Sequence, residues 1–136
     1  MHPSRIRQLA RTTALVAAIG GIGSCTQPLT PQQELRGRWG AERLELTADT
    51  NGARIVMTCA SARLAGPIIL GDDQDFAGQA ALIHTAAGSR PDSLRVEGRL
   101  SGDWLRLTLI INRGQPFVRM LRYGQKGDFA GYVCLD

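Results

Sequence analysis

The chain has 136 residues, a formal charge of +4 and a hydrophobic content of 43%. This length fits one domain and is too short for a multidomain enzyme, and no apolar run reaches the roughly 18 residues of a membrane-spanning helix. The apolar content suffices for a globular core and argues against a disordered chain.

The excess positive charge lies at the N-terminus. Residues 1–24 contain Arg5, Arg7 and Arg11 and no acidic residue, whereas 13 basic and 12 acidic residues follow from Cys25 onward. The remainder of the chain is therefore close to neutral, and it carries no nucleic-acid-binding motif. We expect no nucleic-acid partner.

Residues 1–24 have the order of a secretory signal peptide, with a basic stretch at 1–11 and a short apolar stretch at 14–22. The next residues, Ile22-Gly23-Ser24-Cys25, resemble the lipobox of bacterial lipoproteins. In that family the cysteine is acylated and becomes the mature N-terminus, so the resemblance implies lipidation at Cys25. The alternative is an ordinary signal peptide, with Cys25 a free thiol.

The residue after Cys25 is Thr26 and not Asp. Among lipoproteins of double-membraned bacteria this favours the outer membrane over retention at the inner one. The resemblance therefore implies a lipid-anchored protein of the cell envelope that faces the periplasm. Its first partner would be the membrane, reached through the N-terminal lipid.

Two cysteines remain after Cys25. Cys59 and Cys134 are expected to form a disulfide, because an exported domain folds in an oxidising compartment. Two free thiols are the alternative. Neither a metal site nor another cofactor is expected, since the sequence has no CxxC motif and His84 is the single histidine after Cys25.

Residues 25–34 are mostly polar, contain two prolines and are predicted to be a tether, with the domain at 35–136. Apolar and polar residues then alternate with a period of two, and turn residues such as Asn51-Gly52 separate the runs. This pattern predicts an all-β domain, an antiparallel barrel or sandwich of seven to eight strands. The predicted strands are 44–47, 54–60, 68–70, 76–84, 94–100, 104–111, 117–123 and 129–135.

Two of these predictions bear directly on the cysteines. A strand over 54–60 places Cys59 on the inward face. A strand over 129–135 would be held in place at its end by the disulfide of Cys134. The hairpin of 94–100 with 104–111 has the strictest alternation in the chain.

The candidates for chemistry are few. His84 has no neighbouring motif that would make it a general base, so a hydrogen-bonding role at a strand end is expected and the chain is predicted not to be an enzyme. Asp72, Asp73 and Asp75 share one loop and could hold calcium, but without an EF-hand pattern a solvated turn is preferred.

Arginine supplies fifteen of the sixteen basic residues. Several alternate with apolar residues and are expected to face outward: Arg95, Arg99, Arg106, Arg113, Arg119 and Arg122. Such a face could bind a protein or a small anionic ligand, or it could simply be a solvated surface. Trp39 and Trp104 flank turns, as contact aromatics or as caps of a barrel end.

Short motifs across residues 37–135 resemble a family of small exported bacterial proteins of unknown function. The matching segments are Gly37-Arg38-Trp39-Gly40, Thr58-Cys59-Ala60, Gly66-Pro67-Ile68, Glu97-Gly98 through Gly102, and Tyr132-Val133-Cys134-Leu135. The resemblance supports paired cysteines and a β fold and implies no activity.

A second resemblance is to periplasmic lysozyme inhibitors of the membrane-bound C-type class. Ser101-Gly102-Asp103-Trp104 and Lys126-Gly127-Asp128-Phe129-Ala130 follow the order of that family's two motifs, with Trp104 where the family has Tyr. The resemblance implies an inhibitor loop that uses Ser101 and Lys126. The sequence thus leaves two hypotheses, a non-catalytic binding or structural module and a lysozyme inhibitor.

Overall fold

The computed structural model of the chain describes residues 32–134. They form a closed antiparallel barrel in which each strand pairs with its neighbour in the chain and β1 closes against β8. The predicted all-β class is confirmed, and the barrel is the architecture found. The strands are β1 (Gly37–Ala41), β2 (Leu44–Asp49), β3 (Gly52–Met57), β4 (Ala60–Ala65), β5 (Asp75–His84), β6 (Asp92–Ser101), β7 (Trp104–Ile111) and β8 (Pro116–Tyr123).

The alternation in β6 and β7 builds the barrel core as predicted. Ser101 pairs with Trp104 across a two-residue turn, and this register sends the leucines and valine of both strands inward. These inward residues are fully buried, and they include Val96, Leu105, Leu107 and Leu109. The side-chain period of two therefore determines both the strand pairing and the buried face.

Gly98 makes room inside this core for an aromatic ring from the neighbouring strand β5. It occupies an inward position of β6 and pairs with Phe76 of β5. A Cβ atom at Gly98 would overlap the ring of Phe76. A glycine inside a strand thus allows the close approach of a neighbouring side chain.

The predicted strand over 54–60 is wrong, because the chain turns inside it. β3 ends at Met57, Thr58 and Cys59 form the turn, and β4 begins at Ala60, which pairs with Met57. Cys59 adopts a φ of 64° in this turn. It therefore lies at the end of the barrel and not on the inward face of a strand.

Two other predicted strands are also wrong. In place of a strand over 68–70, Ile69 makes a single bridge to Glu34, while Leu35 and Leu70 donate main-chain hydrogen bonds to Ile68 and Gln33. Residues 129–134 are not a strand. β1 and β4, which were not predicted, complete the eight.

The barrel has two ends that are referred to below by their contents. The disulfide end carries the turn at Thr58-Cys59 and the loop between β5 and β6. The N-terminal end carries residues 33–35 and the turn at Gly102-Asp103. Within residues 32–134 no helix has the length and apolar character needed to cross a membrane.

A C-terminal tail, residues 124–134, completes the closure between β1 and β8. These two strands pair at Trp39–Tyr123 and Gly40–Arg122. The tail then returns alongside β1, where the Asp128 N–H donates to the Ala41 carbonyl at 3.1 Å and the Arg43 N–H donates to the Asp128 carbonyl at 2.8 Å. The tail therefore takes the place of a strand along the end of β1.

Candidate functional site

The tail ends in a disulfide that joins it to the other side of the barrel end. Cys134 is bonded to Cys59 of the β3–β4 turn, with a Cα–Cα distance of 5.3 Å and a sequence separation of 75. The predicted pairing is present in the structure. The disulfide fixes the end of the tail, whose residues were predicted to form a terminal strand.

Side chains of the β1–β2 hairpin hold the tail along its length. The Gly127 N–H donates to Glu45 at 2.8 Å, and the Tyr132 hydroxyl donates to Glu42 at 2.8 Å. The guanidinium of Arg43 lies 3.6 Å from the centre of the Tyr132 ring. These contacts are partly or fully exposed, so each adds little stability by itself.

Arginines and large apolar side chains share one outer surface of the barrel, which we call the β6–β8 face. It is formed by outward positions that are neighbours across the strands, since Arg99 pairs with Arg106, Arg106 with Met120, and Trp104 with Arg122. Its members are Arg99, Trp104, Arg106, Val118, Met120 and Arg122.

The arginines of the β6–β8 face form no ion pair among the described residues, although Asp75 of β5 is directly opposite Arg99. Within residues 32–134, neither Arg99 nor Arg106 nor Arg122 has an acidic group within ion-pair distance. Arg122 instead lies 5.8 Å from the centre of the Trp104 ring. Arg95, four residues before Arg99 on β6, is different because it is paired with Glu97 at 2.7 Å.

The apolar members of this face are unusually exposed. Trp104 and Met120 have 45% and 48% of their surface accessible, and Val118 is also exposed. Within the described residues, the exposed large apolar side chains include none from β1 to β4. Exposed apolar surface interleaved with unpaired charge is typical of a binding surface.

Arg119 departs from the outward arrangement predicted for the arginines. It pairs with the inward Leu107, and Phe117 pairs with the inward Leu109. Both side chains are nevertheless exposed, and the Arg119 guanidinium lies 4.2 Å from the Phe117 ring. The inner side of Phe117 and Arg119 is open, because β8 pairs with β1 at the opposite end of β8, near Tyr123.

The two tryptophans have opposite roles. Trp39 is buried at the N-terminal end, packs edge-on against Tyr123 at 4.9 Å and donates a hydrogen bond to the Arg36 carbonyl. Trp39 therefore caps one end of the barrel, which is one of the two roles predicted for the tryptophans. Trp104 is exposed on the outer surface at the start of β7 and does not close the core.

His84 belongs to a polar cluster at the disulfide end. Its Nε2 lies 2.7 Å from one carboxylate oxygen of Asp92, and Asn112 donates to the other at 2.8 Å. Ser93 donates to Asn112 and not to His84. The cluster thus ties β5, β6 and the β7–β8 turn together, which agrees with the hydrogen-bonding role expected for His84.

This cluster gives the fold a pH dependence that can be measured. The hydrogen bonds from Asn112 and then from His84 lower the pKa of Asp92 below its ordinary value of 3.8. Ionised Asp92 therefore stabilises the fold above that ordinary value, and the contribution is lost as the pH falls through the lower folded-state pKa. We expect Asp92→Asn to be less stable than wild type at neutral pH and the difference to vanish in acid.

The measurement is urea unfolding of both proteins across the acid range. Asp73→Asn, in an exposed turn, is the control, and its difference from wild type should not change with pH. A constant difference between wild type and Asp92→Asn at all pH values would contradict this role of Asp92.

The aspartates at 72, 73 and 75 do not converge. Asp75 begins β5, and Asp72 and Asp73 lie in the preceding turn, where both are exposed. Among residues 32–134, no group of three or more acidic, histidine or cysteine side chains is arranged to hold a metal ion. The loop has the form of the solvated turn that was preferred.

Ser101 ends β6 beside the Gly102-Asp103 turn, whereas Lys126 lies in the tail, close to the last residue of β1. Ser101 pairs with Trp104, Trp104 with Arg122, and Arg122 with Gly40. The Lys126 backbone lies directly over Gly40. Both residues are exposed, and three strand spacings, about 14 Å along the surface, separate their positions.

Cys25 and the predicted signal peptide lie outside the described residues. No protein-family model, curated protein or solved structure matches the chain. Sequence reasoning identified the arginines but missed that Val118 and Met120 belong to the same surface. Residues 116–120 are apolar apart from Arg119, so their composition does not show which side chains face outward, and the register of β8 does.

Proposed function

We propose that the chain is a bacterial lipoprotein, anchored in the cell envelope through Cys25 and facing the periplasm from the outer membrane. The basic and apolar order of residues 1–24 and the Ile22-Gly23-Ser24-Cys25 junction support this location. The Cys59–Cys134 pair is also consistent with an oxidising compartment.

We further propose that the barrel is a non-catalytic binding module. The observation that carries this proposal is the β6–β8 face, where Arg99, Arg106 and Arg122 form no ion pair within residues 32–134 and lie beside the exposed Trp104 and Met120. Arginine forks recognise anionic groups by paired hydrogen bonds, and exposed aromatic and apolar side chains supply contact area. The expected partner is therefore anionic and partly apolar.

The anchor is tested by metabolic labelling with palmitate in a bacterium that expresses the full chain. Wild type should incorporate the label and remain with the membrane fraction. Cys25→Ser should incorporate none, because the acylated thiol is gone, while Cys59→Ser serves as a control that retains the label. Equal labelling of wild type and Cys25→Ser would refute the anchor.

A role as a lysozyme inhibitor is the second candidate. The exposure of both Ser101 and Lys126, which an inhibitor loop requires, favours it. Inhibition of lysozyme by residues 26–136, abolished by Lys126→Ala and retained in Arg54→Ala, is the expected result. Absence of inhibition by the wild-type chain would remove this candidate.

A further inference from the structure

The barrel carries two arginine pairs that are equivalent in backbone register. Arg99 and Arg106 are directly opposite each other on β6 and β7, and Arg54 and Arg63 are directly opposite each other on β3 and β4. Like charges at directly opposite positions destabilise a sheet. Arginine pairing alone therefore does not single out a binding surface.

Apolar neighbours distinguish the two pairs. Met120 is directly opposite Arg106, and Trp104 and Val118 lie on the adjacent rows of the same face. Beside Arg54 and Arg63, no large apolar side chain of β1 to β4 is exposed within residues 32–134, and one from β5, Ile83, lies exposed on the adjacent row, opposite Ser61. The β6–β8 face thus combines its arginines with three exposed apolar side chains, whereas a single one borders the β3–β4 pair.

A groove runs beside the β6–β8 face and reaches both of its central arginines. It has a volume of about 760 Å³ and is lined by Arg99, Arg106, Thr108 and Val118 among others. Asp75 and Glu97 also line it, and Glu97 is held by Arg95 at 2.7 Å. A phosphate group in this groove would meet two guanidinium forks and relieve their mutual repulsion.

The N-terminal segment joins the barrel beside this face. Gln33 and Arg36 line one depression together with Gly102, Asp103 and Tyr123, so the chain arrives next to the turn that precedes Trp104. Gln33 lies eight positions after Cys25, a reach of at most about 28 Å. A bilayer that holds an acylated Cys25 is therefore within reach of the β6–β8 face.

We propose that the β6–β8 face docks the barrel onto an anionic phospholipid surface. Arg99, Arg106 and Arg122 contact lipid phosphates, while Trp104, Met120 and Val118 enter the interfacial region, where tryptophan and arginine stems are favourably placed. This inference rests on the proposed function, which places the chain at a membrane. It identifies the expected anionic partner as the phospholipid of that membrane. Stable membrane binding then requires less hydrophobic energy from the lipid anchor, since the lipid chain and the basic surface act together.

The test is sedimentation of residues 26–136 with vesicles. The hydrogen-bonded strands, the core and the disulfide lie within 32–134, so this chain contains the whole barrel. One set of vesicles is made of equal parts phosphatidylglycerol and phosphatidylcholine, and the other is made of phosphatidylcholine alone. Arg99→Gln/Arg106→Gln is compared with Arg54→Gln/Arg63→Gln, which removes the same charge from an equivalent pair, and circular dichroism verifies that all variants fold.

We expect the wild-type chain to bind the anionic vesicles and to lose binding at high salt. Arg99→Gln/Arg106→Gln should bind about 30-fold more weakly, since each basic residue near an anionic surface contributes about 1 kcal/mol. Arg54→Gln/Arg63→Gln should bind as wild type does, and Trp104→Ala should also weaken binding.

Three results would overturn the docking proposal. These are absence of binding to anionic vesicles, equal loss in the two double variants, and displacement of the protein by inorganic phosphate alone, which would indicate a site for a soluble anion. Because residues 26–136 lack Cys25, none of these results depends on lipidation. Palmitate labelling and vesicle binding can therefore fail independently.

Discussion

Replacing Cys59 and Cys134 together by Ser is expected to lower the free energy of unfolding by about 4 kcal/mol. The disulfide closes a loop of 75 residues, and in the chain-entropy model a loop of this size restricts the unfolded chain by roughly that amount. The noncovalent contacts of the tail are largely exposed, so they replace little of the lost constraint. We expect the tail to detach from β1 in the variant before the barrel unfolds.

The measurement is urea unfolding followed by tryptophan fluorescence, to which the buried Trp39 beside Tyr123 contributes. Wild type under reducing conditions should match the double serine variant, because both lack the same bond. Proteolysis should remove the tail from the variant and spare it in the oxidised wild type. Identical urea midpoints for oxidised and reduced wild type would contradict this account.

Leu107→Ala is expected to have a comparably large effect, a loss of about 2–5 kcal/mol. Leu107 is fully buried in the barrel and lies opposite Gly98 of β6. Truncation removes its contacts and leaves a cavity that the rigid strands cannot fill. Arg106→Ala, the neighbouring exposed position on the same strand, should change the stability by about 0.5 kcal/mol or less.

Urea midpoints of the two variants check this contrast. A larger loss for Arg106→Ala than for Leu107→Ala would mean that β7 is shifted by one residue, which would exchange its two faces.

The sequence predicts the β6–β7 hairpin well because one face of each strand is uniformly apolar and a Gly-containing turn separates them. It does not reveal the β3–β4 turn, since Thr58 and Cys59 are not residues that usually mark a tight turn. Cys59 has a positive φ there, a conformation more typical of Gly or Asn. The run from Ile55 to Ala60, apolar except for Thr58, therefore suggests one strand where the structure has two.

The tail misleads prediction for a different reason. Residues 129–135 have the aromatic and β-branched composition of a strand, but strand formation requires a neighbouring edge. β1 is occupied by β2 on one side and by β8 and Asp128 on the other. Composition cannot show that this edge is filled, so the tail could be placed only from the tertiary structure.

Part of the β6–β8 face could be predicted from the sequence. The alternation identifies Arg99 and Arg106 as outward, and the structure agrees. Their juxtaposition with Met120 depends on the register between β6, β7 and β8, which the sequence leaves undetermined. The inward position of Arg119 follows from the same register.

The mass of the mature protein, isolated from the membranes of a bacterium expressing the full chain, tests the central claim most directly. The account predicts a chain that begins at an acylated Cys25 and whose Cys59 and Cys134 are joined by a disulfide. A mature chain that begins elsewhere, or one that begins at Cys25 without acyl groups, would contradict it.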